Sequence, residues 1–217
     1  MKAGRTELPF ALIGAGPMGL ACAKVLVEQG VAFEGFELHS DVGGLWDIEG
    51  PRSTMYDSAH LISSRTMTEF ADFPMADDMA DYPSHRVLAR YFRDFADHFD
   101  LRRQYRFGAE VLRCEPLDDA WTVRWRDQDG EHEGRYGGVI IANGTLSEPN
   151  MPSFEGDFGG DLIHSARYRH PEQLAGKRVL VVGGGNSGCD IVVDAVHHAA
   201  CADLSMRRGY HFVPKYV

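Results

Sequence analysis

No apolar run in the 217 residues reaches the ~18 that a membrane-crossing helix requires. The opening Met1-Lys2-Ala3-Gly4-Arg5 lacks the apolar stretch that a secretion signal carries after its basic start. Cysteine is scarce: Cys22, Cys114, Cys189 and Cys201 are scattered, with no C-x-x-C pair and no metal-ligand spacing. That excludes a disulfide framework and an ordinary zinc site, and it predicts reduced, mostly buried thiols in a cytoplasmic protein. Positive charge is also in deficit, with 22 Lys and Arg against 32 Asp and Glu and a formal net charge of −10. Nucleic acid is therefore not an expected partner, because a phosphate backbone rewards basic surfaces. A single dinucleotide is not excluded, since backbone N–H groups and one or two arginines can hold its phosphates. No convincing serine triad is present either.

Glycine is the opposite case: 24 residues, above the ~7% of average usage, many of them in two clusters. The first cluster lies in a β-α-β pattern. Leu8 to Ile13 is a short apolar run, Met18 to Gln29 has helical spacing with Gly30 as a C-cap, and Val31 to Glu37 is a second strand. Between strand and helix stands Gly14-Ala15-Gly16-Pro17-Met18-Gly19, a G-x-G-x-x-G loop. Its first glycine permits the tight turn, its second lets a pyrophosphate approach the backbone, and its third lets helix and strand pack closely. Glu37 ends the second strand 18 residues beyond Gly19, where a carboxylate can accept hydrogen bonds from ribose hydroxyls.

A long irregular stretch, 38–83, follows. Pro83-Ser84 then opens a helix with Leu88, Tyr91, Phe92, Phe95 and Phe99 on one face and Ser84 as N-cap candidate. Trp121, Val123 and Trp125 alternate with polar residues as a half-buried strand, Asp129-Gly130 turns the chain into a hairpin, and Val139 to Ala142 reads as a short buried strand. Residues 151–176 read as a connection rich in Pro, Gly, Ser and acid. The opening pattern then returns: a strand at Arg178 to Val182, a glycine turn, a helix at Ser187 to Ala199, and a strand at Asp203 to Met206.

The second loop is Gly183-Gly184-Gly185-Asn186-Ser187-Gly188, and its distal strand ends on Arg207-Arg208 rather than on an acid, 19 residues beyond Gly188. A guanidinium pairs bidentately with a 2′-phosphate that a carboxylate would repel, so this loop favours NADP over NAD. Opposite ribose chemistry at two sites implies a resident flavin and a separate hydride donor. With no redox cysteine pair to receive the electrons, oxygen is the natural acceptor.

The fold expected is α/β, with two Rossmann-like dinucleotide-binding units, FAD then NADP, the second of them truncated. The expected domains are an FAD-binding domain over 1–150, an interdomain connection over 151–176 and the start of an NADP-binding domain over 177–217. Tyr210 to Val217 reads as the beginning of an insertion. A shortened chain, a part of a longer chain, and a half completed by another polypeptide all fit that pattern. For the 217 residues alone, FAD binding is expected to survive, with coupled NADPH oxidation weak or absent.

Several segments resemble the flavin-containing monooxygenases and their Baeyer–Villiger relatives. Asp41-Val42-Gly43-Gly44-Leu45-Trp46 is similar to that family's G-G-L-W segment near the flavin. Phe158, Gly160, His164 and Tyr168 match the fingerprint F-x-G-x-x-x-H-x-x-x-(Y/F/W) between the two nucleotide loops. Asp72-Phe73-Pro74, Tyr82-Pro83-Ser84-His85 and Gly176-Lys177-Arg178 are family-like as well. The resemblance implies an NADPH-dependent monooxygenase that oxygenates nitrogen, sulfur or carbonyl centres of small organic molecules through a C4a-peroxyflavin. It implies FAD contacts at Gly14, Gly16, Pro17, Met18, Gly19, Glu37, Gly44, Leu45, Trp46, Val111 (through its backbone) and Gly144. It implies NADP contacts at Gly183, Gly185, Asn186, Ser187, Gly188, Arg207 and Arg208. Molecular oxygen, a small-molecule substrate, and self-association or a complementing C-terminal half are the implied partners. His164 reads as structural, packing and hydrogen-bonding in the connection, and Cys189 as helix packing.

Two departures stand out. Ile62 occupies the position of a family asparagine that contacts the flavin peroxide and the nicotinamide ribose, and it has no hydrogen-bonding group; His60 and Ser63 are the neighbours able to substitute. Asn143 stands where the family has threonine, a milder change. Ile62 keeps open an NADPH oxidase or reductase that releases hydrogen peroxide, and the truncated second unit keeps open a non-catalytic flavin-binding half of a complex.

Overall fold

The computed structural model describes residues 8–213; the start at Met1 to Arg5 and the end of the Tyr210 to Val217 segment lie outside them. In chain order the elements are β1 (Phe10–Ile13), α1 (Pro17–Glu28), β2 (Phe33–Glu37), the short α2 (Arg65–Thr68), α3 (His85–His98), β3 (Tyr105–Phe107), β4 (Glu110–Leu117), β5 (Ala120–Asp127), β6 (Gly130–Tyr136), β7 (Gly138–Ile141), β8 (Arg178–Val182), α4 (Asn186–His198) and β9 (Cys201–Ser205). Two compact units result: 1–53 with 86–145, and 54–85 with 146–217.

The first unit is built on a parallel sheet in the order β3-β2-β1-β7, with β4-β5-β6 forming a separate antiparallel sheet. α1 ends as its sequence predicts. Gly30 takes φ +64°, its N–H reaches the Val27 carbonyl at 3.1 Å, and the Val31 N–H reaches that of Leu26 at 2.9 Å. This pair of bonds is a Schellman closure, which only a residue at ease with positive φ completes without strain. The core joins both sheets: Ala11 and Phe36 from the parallel sheet, Val123, Trp125 and Tyr136 from the antiparallel one, with Phe36 and Trp125 rings 5.0 Å apart. α3 buries Leu88, Tyr91, Phe92 and Phe95, the face expected from its spacing.

The second unit pairs β8 with β9 in parallel and lays α4 beside them. Its core holds Tyr56, Ala59, Tyr168, Leu174, Ile191 and Ala195, with Val179 and Val181 packed against it.

Two expectations are corrected. β7 is not a buried strand, because Ile141 is 70% exposed; in the described residues β7 pairs only with β1 and forms a sheet edge. The cysteines are not mostly buried: Cys22, Cys114 and Cys189 are half-exposed and Cys201 is exposed, and Cys114 lies against the Phe36–Trp125 core without being enclosed by it. The stretch 54–85 belongs with 146–217, and the connection contributes core, because Tyr56 and Ala59 pack with Tyr168 and Leu174.

Candidate functional site

The first glycine loop leaves β1 at the C-terminal edge of the parallel sheet, where ligands bind in open α/β folds. Gly14 has φ +102°, and its N–H donates to the Phe36 carbonyl at 2.8 Å. A Cβ at Gly14 would lie 2.5 Å from the Ala142 oxygen, and one at Gly19 would lie 1.9 Å from the Gly14 oxygen. Neither site admits a side chain. Gly16 caps α1 with no side-chain partner, Pro17 is the first helical residue, and Met18 is 67% exposed at the helix mouth.

Glu37 sits at the end of β2 and is tied into the loop. The Ala15 N–H donates to Oε2 at 2.6 Å and the His39 N–H donates to Oε1 at 2.8 Å. The Ala109 N–H reaches the Glu37 carbonyl at 2.9 Å, two residues before Val111. Val111 itself packs against the Phe36–Trp125 core. Asn143 follows β7, its Cα 3.3 Å from where a Gly14 Cβ would be, and Gly144 turns away at φ +75°.

Gly43 and Gly44 fold over the loop. The Gly43 N–H donates to the Ala15 carbonyl at 3.0 Å, and a Cβ on Gly44 would stand 2.8 Å from the Gly16 Cα. Leu45 and Trp46 are half-buried in the following 3₁₀ turn, Gly44–Trp46. Beneath the loop, the Tyr105 hydroxyl donates to the Gly14 carbonyl at 3.5 Å. Burial, and then the negative charge of Glu37, push this phenol far above its ordinary range.

The second loop repeats the geometry. Gly183 has φ +108°, its N–H donates to the Ser205 carbonyl at 2.9 Å, and a Cβ on Gly188 would lie 2.0 Å from the Gly183 oxygen. Gly185 caps α4 without a side-chain partner and would meet nothing within 4 Å, so that face is open. Asn186 and Ser187 begin α4, and the exposed Arg207 and Arg208 follow the end of β9.

The remaining predicted residues are dispersed. Ile62 is 62% exposed. His60 Nδ1 lies 2.9 Å from the Ser58 carbonyl, and the Ser63 and Thr68 hydroxyls share a 2.7 Å bond, so both groups already serve local turns. His164 caps the turn Ser165–Arg167, its Nδ1 accepting from the Ala166 N–H at 3.1 Å, and Phe158 is 73% exposed.

Sequence reasoning missed two polar networks. In the second unit, Asp194 Oδ2 accepts from the Ser58 hydroxyl at 2.6 Å and the Tyr168 hydroxyl at 2.7 Å, and Asp190 accepts from Tyr56 at 2.8 Å. Burial, and then the bond to Asp190, raise the Tyr56 phenol; burial, and then Asp194, raise Tyr168. In the first unit, Arg93 and Arg102 meet Asp41, Asp47 and Asp97 around the G-G-L-W turn. Burial opposes ionisation of Asp41, but the bonds from Arg102 and the Val42 N–H outweigh it and hold the carboxyl below its ordinary value. The i, i+4 spacing of Asp190 and Asp194 was the available signal for the first network. No local signal marks the second.

Residues 8–216 match the family described as flavin-binding monooxygenase-like. Human flavin-containing monooxygenase 2 is 36% identical over 212 residues, which are 92% of this chain and 40% of the human protein. S-allyl-L-cysteine S-oxygenase from Allium sativum matches with a TM-score of 0.85 at 27% identity, over 96% of this chain and 53% of that one. The structure of OTEMO in complex with FAD and NADP matches with a TM-score of 0.74 at 28% identity, over 90% of this chain and 38% of that one. The chain thus spans about two fifths of the length of the curated relatives it matches. Among the described residues no helix is long and apolar enough to cross a membrane, and no group of His, Cys, Asp or Glu is arranged to hold a metal ion.

Proposed function

The chain belongs to the flavin-binding monooxygenase-like family, and from that premise we propose that it binds FAD at Gly14–Gly19 and NADP(H) at Gly183–Gly188. The activity it serves is NADPH-dependent oxygenation of small organic molecules at nitrogen, sulfur or carbonyl centres. The observation that carries this reading is the repeat of one loop geometry with opposite residues at its ribose end, Glu37 against Arg207-Arg208.

The residues present fit the two dinucleotides. A Cβ on Gly185 would meet nothing within 4 Å and one on Gly16 would meet the Gly44 Cα at 3.5 Å, while Gly14, Gly19, Gly183 and Gly188 allow no Cβ or tolerate none without strain. Each helix start, free of a side-chain cap, offers backbone donors and a positive dipole end to a pyrophosphate. An ionised carboxylate has about four acceptor sites, so Glu37 has capacity left for ribose hydroxyls beside its two backbone bonds. In this reading Gly44, Leu45 and Trp46 wall the same loop, the Val111 backbone meets the adenine, and Asn143-Gly144 close the far side. Asn186 and Ser187 supply donors at the second loop, and Arg207 and Arg208 the cations for a 2′-phosphate. Bound FAD would supply two-electron redox chemistry between NADPH and oxygen, with one oxygen atom going to the substrate and the other to water.

The test is direct. The purified chain is expected to carry or take up one FAD and to bind NADP⁺ more tightly than NAD⁺. A colourless protein that ignores added FAD would overturn the reading. A second reading, an NADPH oxidase releasing peroxide, is favoured by Ile62, which offers no hydrogen bond at the family's asparagine position. Peroxide released per NADPH consumed, across amines, sulfides and ketones, separates the two.

A further inference from the structure

The turn that covers the first glycine loop is poorly held by its own bonds. Gly43 and Gly44 take φ +120° and +58°, and the local bonds from the Trp46 N–H to Gly43 and from the Asp47 N–H to Gly44 are 3.4 and 3.2 Å long. Two aspartates bracket this turn, and both point to one guanidinium from α3. Arg93 Nη2 donates to Asp47 Oδ2 at 2.5 Å. Its Nε lies 2.9 Å from Asp41 Oδ2, an ion-pair contact without the direction of a hydrogen bond. The Asp47 side chain is 8% exposed; besides Arg93 it accepts from the Glu49 N–H at 3.2 Å and lies 3.6 Å from His39 Nδ1. Arg102 also meets Asp41, and the Ser53 hydroxyl donates to the Leu45 carbonyl at 2.6 Å. Arg93 thus meets both ends of the turn.

We propose that Arg93 is a positioning residue for the first dinucleotide site: by gripping Asp41 and Asp47 it presses the Gly43–Trp46 turn onto Gly16 and fixes the wall against which the flavin nucleotide lies. This rests on the FAD reading above. A planar fork can address two carboxylates at once, whereas the single ammonium of lysine is a point charge. The role therefore depends on the shape of the group as well as its sign.

The experiment compares the full chain with R93K, R93Q and a core control, Phe95→Leu, in apoprotein melting, FAD titration and the visible circular dichroism of bound flavin. R93Q is expected to weaken FAD binding at least tenfold and to alter the flavin spectrum. R93K is expected to recover most of the melting temperature without recovering the spectrum, and it carries the test alone if R93Q does not fold. Wild-type affinity and spectrum in both variants overturn the proposal. So does an equal spectral change in Phe95→Leu, which would make the effect one of general destabilisation. Failure of the wild-type chain itself to bind FAD overturns the functional reading, and this proposal with it.

Discussion

A carboxylate that already accepts backbone bonds at 2.6 and 2.8 Å holds its loop in shape before any ligand arrives. Glu37 thus ties Ala15 and His39 together, and in the proposed site it has a second job, to offer lone pairs to ribose. Glu37→Gln separates these jobs. The amide has one oxygen, so one of the two backbone donors would face an NH₂ group. A hydrogen bond to a charged group contributes about 1.5–3 kcal/mol, so FAD affinity should fall by roughly tenfold to a hundredfold. Fluorescence titration of the apoprotein measures it, and an unchanged dissociation constant would remove Glu37 from the site. At the second loop, Gly184 is constrained differently: a Cβ there would sit 2.4 Å from the Met206 sulfur, so the residue after β9 already fills the space.

At the scale of elements, α4 is more than the helix behind a glycine loop. Asp190 and Asp194 are one turn apart and so share a face; between them they receive Tyr56, Ser58 and Tyr168. The stretch near residue 56 and the end of the connection are thereby fastened to the helix that opens the second site. Asp194→Ala would strand two hydroxyls, one of them on the fully buried Tyr168, at about 1–3 kcal/mol each. Urea denaturation should show a loss of about 2–6 kcal/mol, and protease should cut more readily within 54–62. A loss below about 0.5 kcal/mol, with unchanged cleavage, would show that the apolar contacts suffice. This network explains what was legible beforehand. Both β-α-β patterns, the α3 face and the β5–β6 hairpin could be read from the sequence, because periodicity and glycine spacing are local. The pairing of Tyr56 with Asp190 spans 134 residues, and that of Arg93 with Asp47 spans 46, so composition offered no hint of either. For the same reason the packing of the irregular 54–85 stretch is not legible in its own weak pattern: Tyr56 and Ala59 find their partners far along the chain.

At the scale of the whole molecule, coupling between NADPH oxidation and oxygen transfer depends on how well water is kept from the reacting centre, and not on the affinity of either loop. Ile62 is 62% exposed in this chain and contributes no donor or acceptor from its side chain. Of the groups able to replace an asparagine, His60 is engaged with Ser58 through Nδ1 and the Ser63 hydroxyl with Thr68. The protein is therefore expected to release peroxide as a substantial share of the NADPH it consumes, even with a good substrate present. Ile62→Asn restores an amide at that position. Because residue 62 is exposed and outside both cores, the exchange should leave melting within about 0.5 kcal/mol of the wild type, as surface substitutions usually do. Peroxide released per NADPH should fall at least twofold, with FAD affinity unchanged. An unaltered ratio in a variant that binds FAD and NADP⁺ normally would mean that position 62 does not govern oxygen transfer, and the oxidase reading would lose its one structural support.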